Sequence, residues 1–349
     1  MLVDIKRSIT SFAFSMPDNW VHSLFGGAII SNEQVLDAQC QLACNFARFL
    51  PKLETLTPPK ARKLHAENMQ IFDEAPIGIS HIEDKLIPTP SASFIPIRLY
   101  NAHPQKGNLP IVIYFHGGGL TIGSLETHDA FCRRLAYYSK VIVVSVGYRL
   151  APEHPYPAAI DDAMIAYQYV RSIAYLFGGS PNAIAVAGDS AGGLLATALC
   201  IRAKKEKMPL PVYQALLCPV TDVSRESETY TTYADKFVLT RSALRWFIRN
   251  YTPDERDRKL VVNSPLLSDP KDLKGLPPAY ISTAGFDPLS HEGEAYAHAL
   301  ESAGVKVQHR HFPSLIHGYF QMGGMIPAAK EAETDFLQSV HSFFATRKF

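Results

Sequence analysis

The fold is decided by the stretch IAVAGDSAGG, which runs from Ile184 to Gly193. Its first four residues are apolar and either small or branched, which is typical of a short buried strand. The residues after Gly193 are again small and apolar, and they favour a buried helix. Between the two lies Gly-x-Ser-x-Gly, from Gly188 to Gly192, a pattern that presents a serine on a sharp strand-to-helix turn. A surface turn of Gly and Ser is the alternative, but the strand and the helix favour a nucleophilic Ser190.

The composition indicates one large α/β domain with an accessory segment. The chain has 349 residues, of which 47% are hydrophobic and 19% are charged, so it can fill a sizeable core. Its net charge of +1 gives no general attraction to nucleic acid or anionic lipid, and neither is expected as a partner. No apolar run reaches the length of a membrane span. Residues Met1 to Lys6 lack the pattern of a signal peptide, which predicts a cytoplasmic protein.

The cysteines argue against a disulfide framework and against a metal site. There are five of them, an odd number, and no two are spaced as CxxC, the spacing that would favour a zinc site. Cys40 and Cys44 are one helical turn apart, so we expect two buried thiols on an apolar helix face.

From residue 77 onward the pattern is one of strands alternating with helices. An antiparallel pair at the sheet edge comes first, where Pro96 is tolerable. Apolar strands, of which 110–115 is continuously apolar, alternate with helices. This alternation indicates a parallel sheet covered by helices on both faces, with its ligand site beyond the carboxyl ends of the strands. The predicted strands are 79–87, 93–100, 110–115, 141–146, 184–187, 211–218, 279–283 and 305–312.

Two segments depart from this alternation and read as helical. Residues 1–75 are predicted to form an N-terminal helical cap segment, with a helix capped by Ser31 to Gln34 and a further helix from Lys60 to Phe72. Residues 76–349 are predicted to form the catalytic domain, with 219–260 as an insert that joins the cap. An ordinary connecting subdomain at 219–260 is the alternative.

A serine hydroxyl needs a base to remove its proton, and the base needs an orienting group. His317 follows the last predicted strand and Asp287 follows the strand before it, so both fall at the end of the sheet where Ser190 is presented. The chain order Ser, Asp, His is that of α/β-hydrolases. The competing histidines are His291, His298, His309 and His311. His309 and His311 alternate within a predicted strand, so one of these two is expected in the core and the other at the surface. The competing acids are Asp269, Asp272 and Glu292, and the last is expected to cap or pair.

A second signal is the run from His116 to Gly119, one histidine followed by three glycines. Glycines let backbone N–H groups turn towards a substrate oxygen with no side chain in the way. We expect Gly117, Gly118 and Ala191 to donate the hydrogen bonds of an oxyanion hole. A flexible turn is the alternative. Asp189 adjoins Ser190 and therefore points elsewhere, so it is expected to brace the elbow.

Several of these motifs together resemble the hormone-sensitive lipase family of esterases, also called bacterial family IV carboxylesterases. The similarity covers about residues 75 to 345 and rests on HGGG at 116–119, YRLAPE at 148–153, GDSAGG at 188–193, SPL at 264–266, GFDPL at 285–289 and HG at 317–318. Residues 290–293 read SHEG, where the family often has Arg-Asp-Glu-Gly.

The resemblance implies an α/β-hydrolase fold with a helical cap and hydrolysis of short- to medium-chain carboxylic esters. It implies catalysis by Ser190, Asp287 and His317 with no cofactor, and a homodimer is common among its members. Two alternatives stay open. One is a binding protein like the plant gibberellin receptor, which resembles this family but lacks the catalytic histidine. The other is an amidase or peptidase on the same fold.

Overall fold

The computed structural model describes residues 10–90 and 92–347. The expectations for Met1 to Lys6, and those for the first nine residues of the N-terminal segment, lie outside this range. No helix in the described parts of the chain combines the length and the apolar content that crossing a membrane requires.

Within the described residues, the framework is one large sheet of eight strands, and a two-stranded hairpin forms a separate small sheet. In chain order the strands are β1 (Ile30–Ser31), β2 (Gln34–Val35), β3 (His81–Pro88), β4 (Phe94–Asn101), β5 (Leu109–Phe115), β6 (Ile142–Val146), β7 (Gly179–Asp189), β8 (Tyr213–Leu217), β9 (Ala279–Phe286) and β10 (Val307–Ile316). The strand order in the large sheet is β10-β9-β8-β7-β5-β6-β4-β3.

Strands β5 to β10 are parallel, and β4 alone in the large sheet runs antiparallel to both of its neighbours. At the centre, Ile113 of β5 pairs with Val144 on one side and Val186 on the other. Every residue of β6, β8 and β9 is buried, which explains why these strands are mainly apolar. Pro96 lies just before the part of β4 that pairs with β6, so its missing N–H removes no bond of that ladder. The prediction of a mostly parallel sheet is confirmed.

Helices cover both faces of the sheet, as predicted. One hydrophobic cluster packs α5, α6 and α11 on one face, and a second packs α2, α4 and α12 on the other. In chain order the helices are α1 (Asp18–Leu24), α2 (Ala38–Ala47), α3 (Pro58–Phe72), α4 (Asp129–Ser139), α5 (Ala158–Ile173), α6 (Ala191–Lys205), α7 (Glu228–Tyr233), α8 (Arg241–Tyr251), α9 (Glu255–Arg258), α10 (Pro270–Leu273), α11 (Ser290–Ser302) and α12 (Pro327–Ala345).

The predicted functional residues come directly after strand ends. His116, Ser190, Asp287 and His317 are the first residues after β5, β7, β9 and β10, respectively. Because these strands are parallel, their carboxyl ends meet at one edge of the sheet. The topology therefore gathers the four residues in one region.

The start of α2 differs from the prediction. Ser31 to Gln34 do not cap a helix, because they form the turn of the β1–β2 hairpin, in which Asn32 and Glu33 have φ of 50° and 64°. Two consecutive residues with positive φ are typical of a tight hairpin turn, where asparagine is favoured. The cap is Asp37, whose carboxylate accepts a hydrogen bond of 3.0 Å from the Cys40 N–H.

The N-terminal segment is joined to the main domain by a buried group of charges. Arg134 of α4 is fully buried, and it donates to Glu333 of α12 at 2.5 Å and to Asp73, directly after α3, at 2.8 Å. A buried guanidinium is stable only when it is paired. The end of α3 is thus fixed to two helices that pack on the sheet.

Candidate active site

Ser190 occupies a strained turn between β7 and α6. Its φ is 53° and its ψ is −118°, a backbone conformation that non-glycine residues rarely adopt and that is typical of functional sites. The flanking glycines are required by close packing. A Cβ on Gly188 would lie 2.4 Å from the Gly192 backbone, and one on Gly192 would lie 1.9 Å from the Phe115 carbonyl oxygen. The elbow geometry predicted from the sequence is therefore present.

The Ser190 backbone is held on both sides, by the last residue of β8 and by the turn that follows this strand. Its N–H donates to the Leu217 carbonyl at 2.8 Å, and its carbonyl accepts from the Val220 N–H at 3.0 Å. These bonds fix the strained residue while leaving its side chain to the cavity above it.

Asp287 and His317 form a hydrogen-bonded pair. His317 Nδ1 lies 2.7 Å from Asp287 Oδ2, the Asp287 side chain is fully buried, and that of His317 is 14% exposed. Burial alone would lower the pKa of His317, but the charge of Asp287 and the hydrogen bond to it outweigh burial, and the pKa is raised. Because Nδ1 is used by the carboxylate, Nε2 is the nitrogen left to accept a proton.

Ser190 and His317 line the same cavity. Within the described residues the Ser190 hydroxyl makes no hydrogen bond, so it is not hydrogen-bonded to the imidazole in this conformation. Hydrogen bonds of this kind are often long in unliganded enzymes and shorten when substrate binds.

The glycine loop differs from the prediction at one position. The Gly117 N–H donates to Asp189 Oδ1 at 2.9 Å, so it is not available to a substrate oxygen. Across residues 10–90 and 92–347, the N–H groups of Gly118, Gly119 and Ala191 donate to no other residue, and all three residues line the cavity. Gly118 and Gly119 have φ of 110° and 59°, values that favour glycine. The loop thus offers the N–H groups of its second and third glycines.

Asp189 braces this loop. Its Oδ1 accepts from the Tyr114 hydroxyl at 2.7 Å as well as from Gly117, and His128 Nε2 lies 3.3 Å away. Burial acts to raise the pKa of Asp189, but the contacts with His128 and Tyr114 reverse the effect and the pKa is lowered. The carboxylate therefore stays charged and keeps its hold on the Gly117 N–H.

His116 and Tyr148 complete the support. His116 Nδ1 lies 2.8 Å from the Gly117 carbonyl, and the Tyr148 hydroxyl donates to the His116 carbonyl at 2.6 Å. Burial lowers the pKa of His116 to about 3, so the ring is neutral and can only hold the loop. The sequence did not predict this role for Tyr148, although Tyr148 belongs to the YRLAPE motif on which the family resemblance rests.

The competing residues lie elsewhere. Asp269 and Asp272 are exposed, as is His291. His309 and His311 both contact the Thr283 hydroxyl at 2.9 Å; the expectation that one is core and the other surface is wrong, because residues two apart on a strand share a face.

Glu292 is buried and accepts from the N–H groups of Thr221 and Asp222 at 2.7 and 3.2 Å. Burial raises its pKa to about 8, despite these two bonds. It joins the turn after β8 to the helix that follows the Asp287 loop.

One cluster of metal-type ligands occurs within the described residues. Single ligand atoms of Cys218, Asp287 and His317 lie within 4.8 Å of one another. Metal binding needs a thiolate, but burial and then the nearby Asp287 raise the pKa of Cys218 well above its ordinary value. The Asp287–His317 bond also occupies two of the three ligands. This donor set fits a protonated thiol beside a carboxylate–imidazole pair better than it fits a metal.

The cavity above Ser190 has a volume of about 320 Å³ and is lined mainly by apolar side chains. Its floor is formed by the glycine loop, the elbow and the His317 loop. Its walls come from residues 43–72, which include parts of α2 and α3, and from residues 235–251. Apolar side chains in these walls are Leu53, Met69, Phe237, Leu239, Leu244 and Phe247. Both segments predicted to roof a pocket therefore contribute to it.

Comparison with known proteins gives concordant matches. Residues 112–321 match the model of a family described as alpha/beta hydrolase fold. The carboxylesterase NlhH of Mycobacterium tuberculosis (strain H37Rv) is 42% identical over 253 residues, which is 72% of this chain and 79% of NlhH. The ethyl acetate hydrolase of Pseudomonas putida is 37% identical over 282 residues, covering 80% of this chain and 88% of that protein.

Solved structures agree with these matches. An ester hydrolase from the metagenome of Lake Arreo, in complex with a derivative of bipyridine phosphonate, superposes with a TM-score of 0.85. The two sequences are 36% identical, and the match covers 89% of this chain and 99% of the other.

Proposed function

Since the chain belongs to the family of the alpha/beta hydrolase fold and is a carboxylesterase of the hormone-sensitive lipase type, we propose that it hydrolyses short- to medium-chain acyl esters through Ser190, His317 and Asp287. The observation that carries this proposal is the buried Asp287–His317 hydrogen bond of 2.7 Å. It orients an imidazole in the cavity that contains the strained Ser190.

In the first step, His317 Nε2 takes the proton of Ser190 as the hydroxyl oxygen attacks the ester carbonyl. The protonated imidazole then gives this proton to the leaving alcohol, and an acyl-enzyme results. Asp287 holds the Nδ1–H tautomer and stabilises the charged ring. The raised pKa of His317 supports its role as the base.

In the second step, water takes the place of the alcohol. His317 removes a proton from this water as it attacks the acyl carbonyl, and the same proton returns to Ser190 as the acid leaves. The reaction needs no group beyond these residues and water.

We assign the oxyanion hole to the N–H groups of Gly118, Gly119 and Ala191, which changes the predicted set by one residue. All three are free to donate and line the cavity with Ser190. Donors of this kind are each worth about 3 kcal/mol in the transition state. Gly117 has the supporting role, because Asp189 holds its N–H.

The size and lining of the cavity support the proposed substrate class. A mainly apolar space of about 320 Å³ is at the small end of ligand pockets, and it suits an acyl chain of short to medium length. The name of the Pseudomonas relative, an ethyl acetate hydrolase, supports a small ester. We also propose that residues 1–75 and 219–260 act together as the cap, since both line the walls.

A panel of p-nitrophenyl acetate, butyrate, octanoate and palmitate tests the substrate class. We expect kcat/KM to be highest for butyrate or octanoate and to fall for palmitate, whose chain exceeds the cavity. A rapid burst of nitrophenol would support the acyl-enzyme. Equal rates on palmitate would contradict the cavity argument, and turnover of the matching p-nitroanilides alone would favour an amidase. The expectations of a homodimer and of a cytoplasmic location stay predictions.

A further inference from the structure

Arg62 of α3 reaches from the N-terminal segment to the backbone of two loops of the catalytic domain. Its Nε donates to the Thr121 carbonyl at 2.8 Å, and its Nη2 donates to the Ala151 carbonyl at 2.9 Å. The guanidinium is held in place by Glu153, which accepts two bonds of 2.9 and 2.6 Å. Only an arginine fork can make all of these contacts at once.

Both carbonyls are tied directly to the glycine loop. The Thr121 N–H donates to the Gly118 carbonyl at 3.0 Å, and the Thr121 hydroxyl donates to the Gly119 carbonyl at 3.1 Å. The Ala151 N–H donates to the Leu120 carbonyl at 2.8 Å. Each carbonyl that accepts from Arg62 therefore belongs to a residue that itself donates a hydrogen bond to residues 118–120.

The loop is also confined by apolar packing from the insert. A Cβ on Gly119 would lie 2.1 Å from Cγ of Phe247, and one on Gly118 would lie 2.4 Å from the Ile122 carbonyl oxygen. Phe247 and Ile122 form a small cluster with Ala61 and Ala243, which joins the loop to both α3 and α8. Packing therefore restrains how far the loop can move.

We propose that Arg62 is a positioning residue for ester hydrolysis. Through the Thr121 and Ala151 carbonyls it fixes the turn that carries the Gly118 and Gly119 N–H groups. It touches neither the substrate nor the reacting atoms. The inference rests on the proposed function, since it assumes that these N–H groups stabilise an oxyanion. If Arg62 has this role, the N-terminal segment affects the rate of the chemical step and does not only cover the cavity.

The test is the substitution Arg62→Met, which keeps the length of the side chain and removes its donors. A displacement of about 1 Å in a catalytic group can lower the rate by about 100-fold. We expect kcat to fall by about 10- to 100-fold, with KM within about threefold of the wild type. The affinity for an alkylboronic acid, which forms a tetrahedral adduct on serine, should fall with kcat.

Three further variants separate positioning from folding. Lys63→Met removes the same charge from the neighbouring, exposed position of α3 and should leave kcat unchanged. Glu153→Gln weakens the ion pair but keeps the two carbonyl contacts, so kcat should change by less than about threefold. Arg62→Lys can reach only one carbonyl at a time and should give an intermediate kcat, even if Arg62→Met does not fold.

A kcat within twofold of the wild type for both Arg62 variants would overturn the proposal. So would a loss that appears in KM alone, or boronate binding as tight as in the wild type. The proposed function fails by a different result, namely ester turnover that persists without the Ser190 hydroxyl. The two failures are therefore distinguishable.

Discussion

At the scale of single residues, the site is defined by which polar groups are already engaged. Asp287 is hydrogen-bonded to Nδ1 of His317, and Asp189 accepts a hydrogen bond from the N–H of Gly117. What remains for a substrate is Nε2 of His317 and the N–H groups of the loop and of Ala191. The free N–H groups can donate to a developing oxyanion, and the free Nε2 can accept a proton.

The sequence could place Ser190, Asp287 and His317 at one edge of the sheet but could not give the direction of each N–H. Three consecutive glycines indicate a loop whose backbone can approach a ligand, and they do not say which N–H is engaged. The sequence correctly indicated that Asp189 points away from Ser190. That its carboxylate takes the Gly117 N–H depends on the pairing of β5 with β7, which brings Phe115 beside Gly188. Such a contact is set by the register of two strands distant in sequence.

Glu292 provides a prediction that relates pH to stability. Burial raises its pKa to about 8 in the folded chain, from 4.5. The folded state therefore keeps a proton that the unfolded state releases. The stabilisation is fully present below pH 4.5, decreases as the pH rises towards 8, and does not decrease further above it.

Glu292→Gln removes this titration while keeping the shape of the protonated side chain. We expect the variant to become more stable relative to the wild type as the pH rises from 5 to 8, by about 1 kcal/mol per pH unit. Urea unfolding at several pH values measures the difference. A constant difference over this range would show that Glu292 is ionised in the folded chain and would refute the prediction.

At the scale of elements, the site depends on strands that end together. β5, β7, β9 and β10 each deliver one functional residue at the next position along the chain. The sequence predicted β5, β9 and the buried part of β7 from their runs of mainly apolar residues. β10 differs from them, since it is largely exposed or half-buried and carries several polar residues. The sequence missed the β1–β2 hairpin, because strands of two residues give no periodic signal, and so it placed the start of α2 too early.

The elbow provides a prediction at this scale. Replacing Gly192 by Ala puts a Cβ 1.9 Å from the Phe115 carbonyl oxygen, so α6 must move away from β5. We expect a loss of about 2–3 kcal/mol in the free energy of unfolding, even though alanine favours helices. The loss should be accompanied by a lower kcat, because the same helix begins next to Ser190.

Gly78→Ala is the matched control, since no atom lies within 4 Å of a Cβ at that position. It should leave the free energy of unfolding within about 0.5 kcal/mol of the wild type. A Gly192→Ala variant as stable and as active as this control would refute the close packing of the elbow.

At the scale of the whole molecule, two segments far apart in sequence enclose one cavity. The sequence predicted that residues 1–75 and 219–260 lie over the active end of the sheet, because neither fits the strand and helix alternation. It could not predict the contacts that join them to the catalytic loops. Arg62 with Thr121, Phe247 with Gly119 and Arg134 with Asp73 all depend on the tertiary arrangement of separate elements, which local patterns do not encode.

The central claim is that Ser190 is the nucleophile of an esterase. The most direct test is the kcat of Ser190→Ala on p-nitrophenyl butyrate, beside Ser268→Ala as a control. The Ser268 hydroxyl has no hydrogen-bond partner in the described residues, so its loss should be harmless. We predict that kcat falls by about 10⁵-fold in Ser190→Ala, with an unchanged melting temperature, and that it is unchanged in the control. Turnover by a folded Ser190→Ala within tenfold of the wild type would contradict the account.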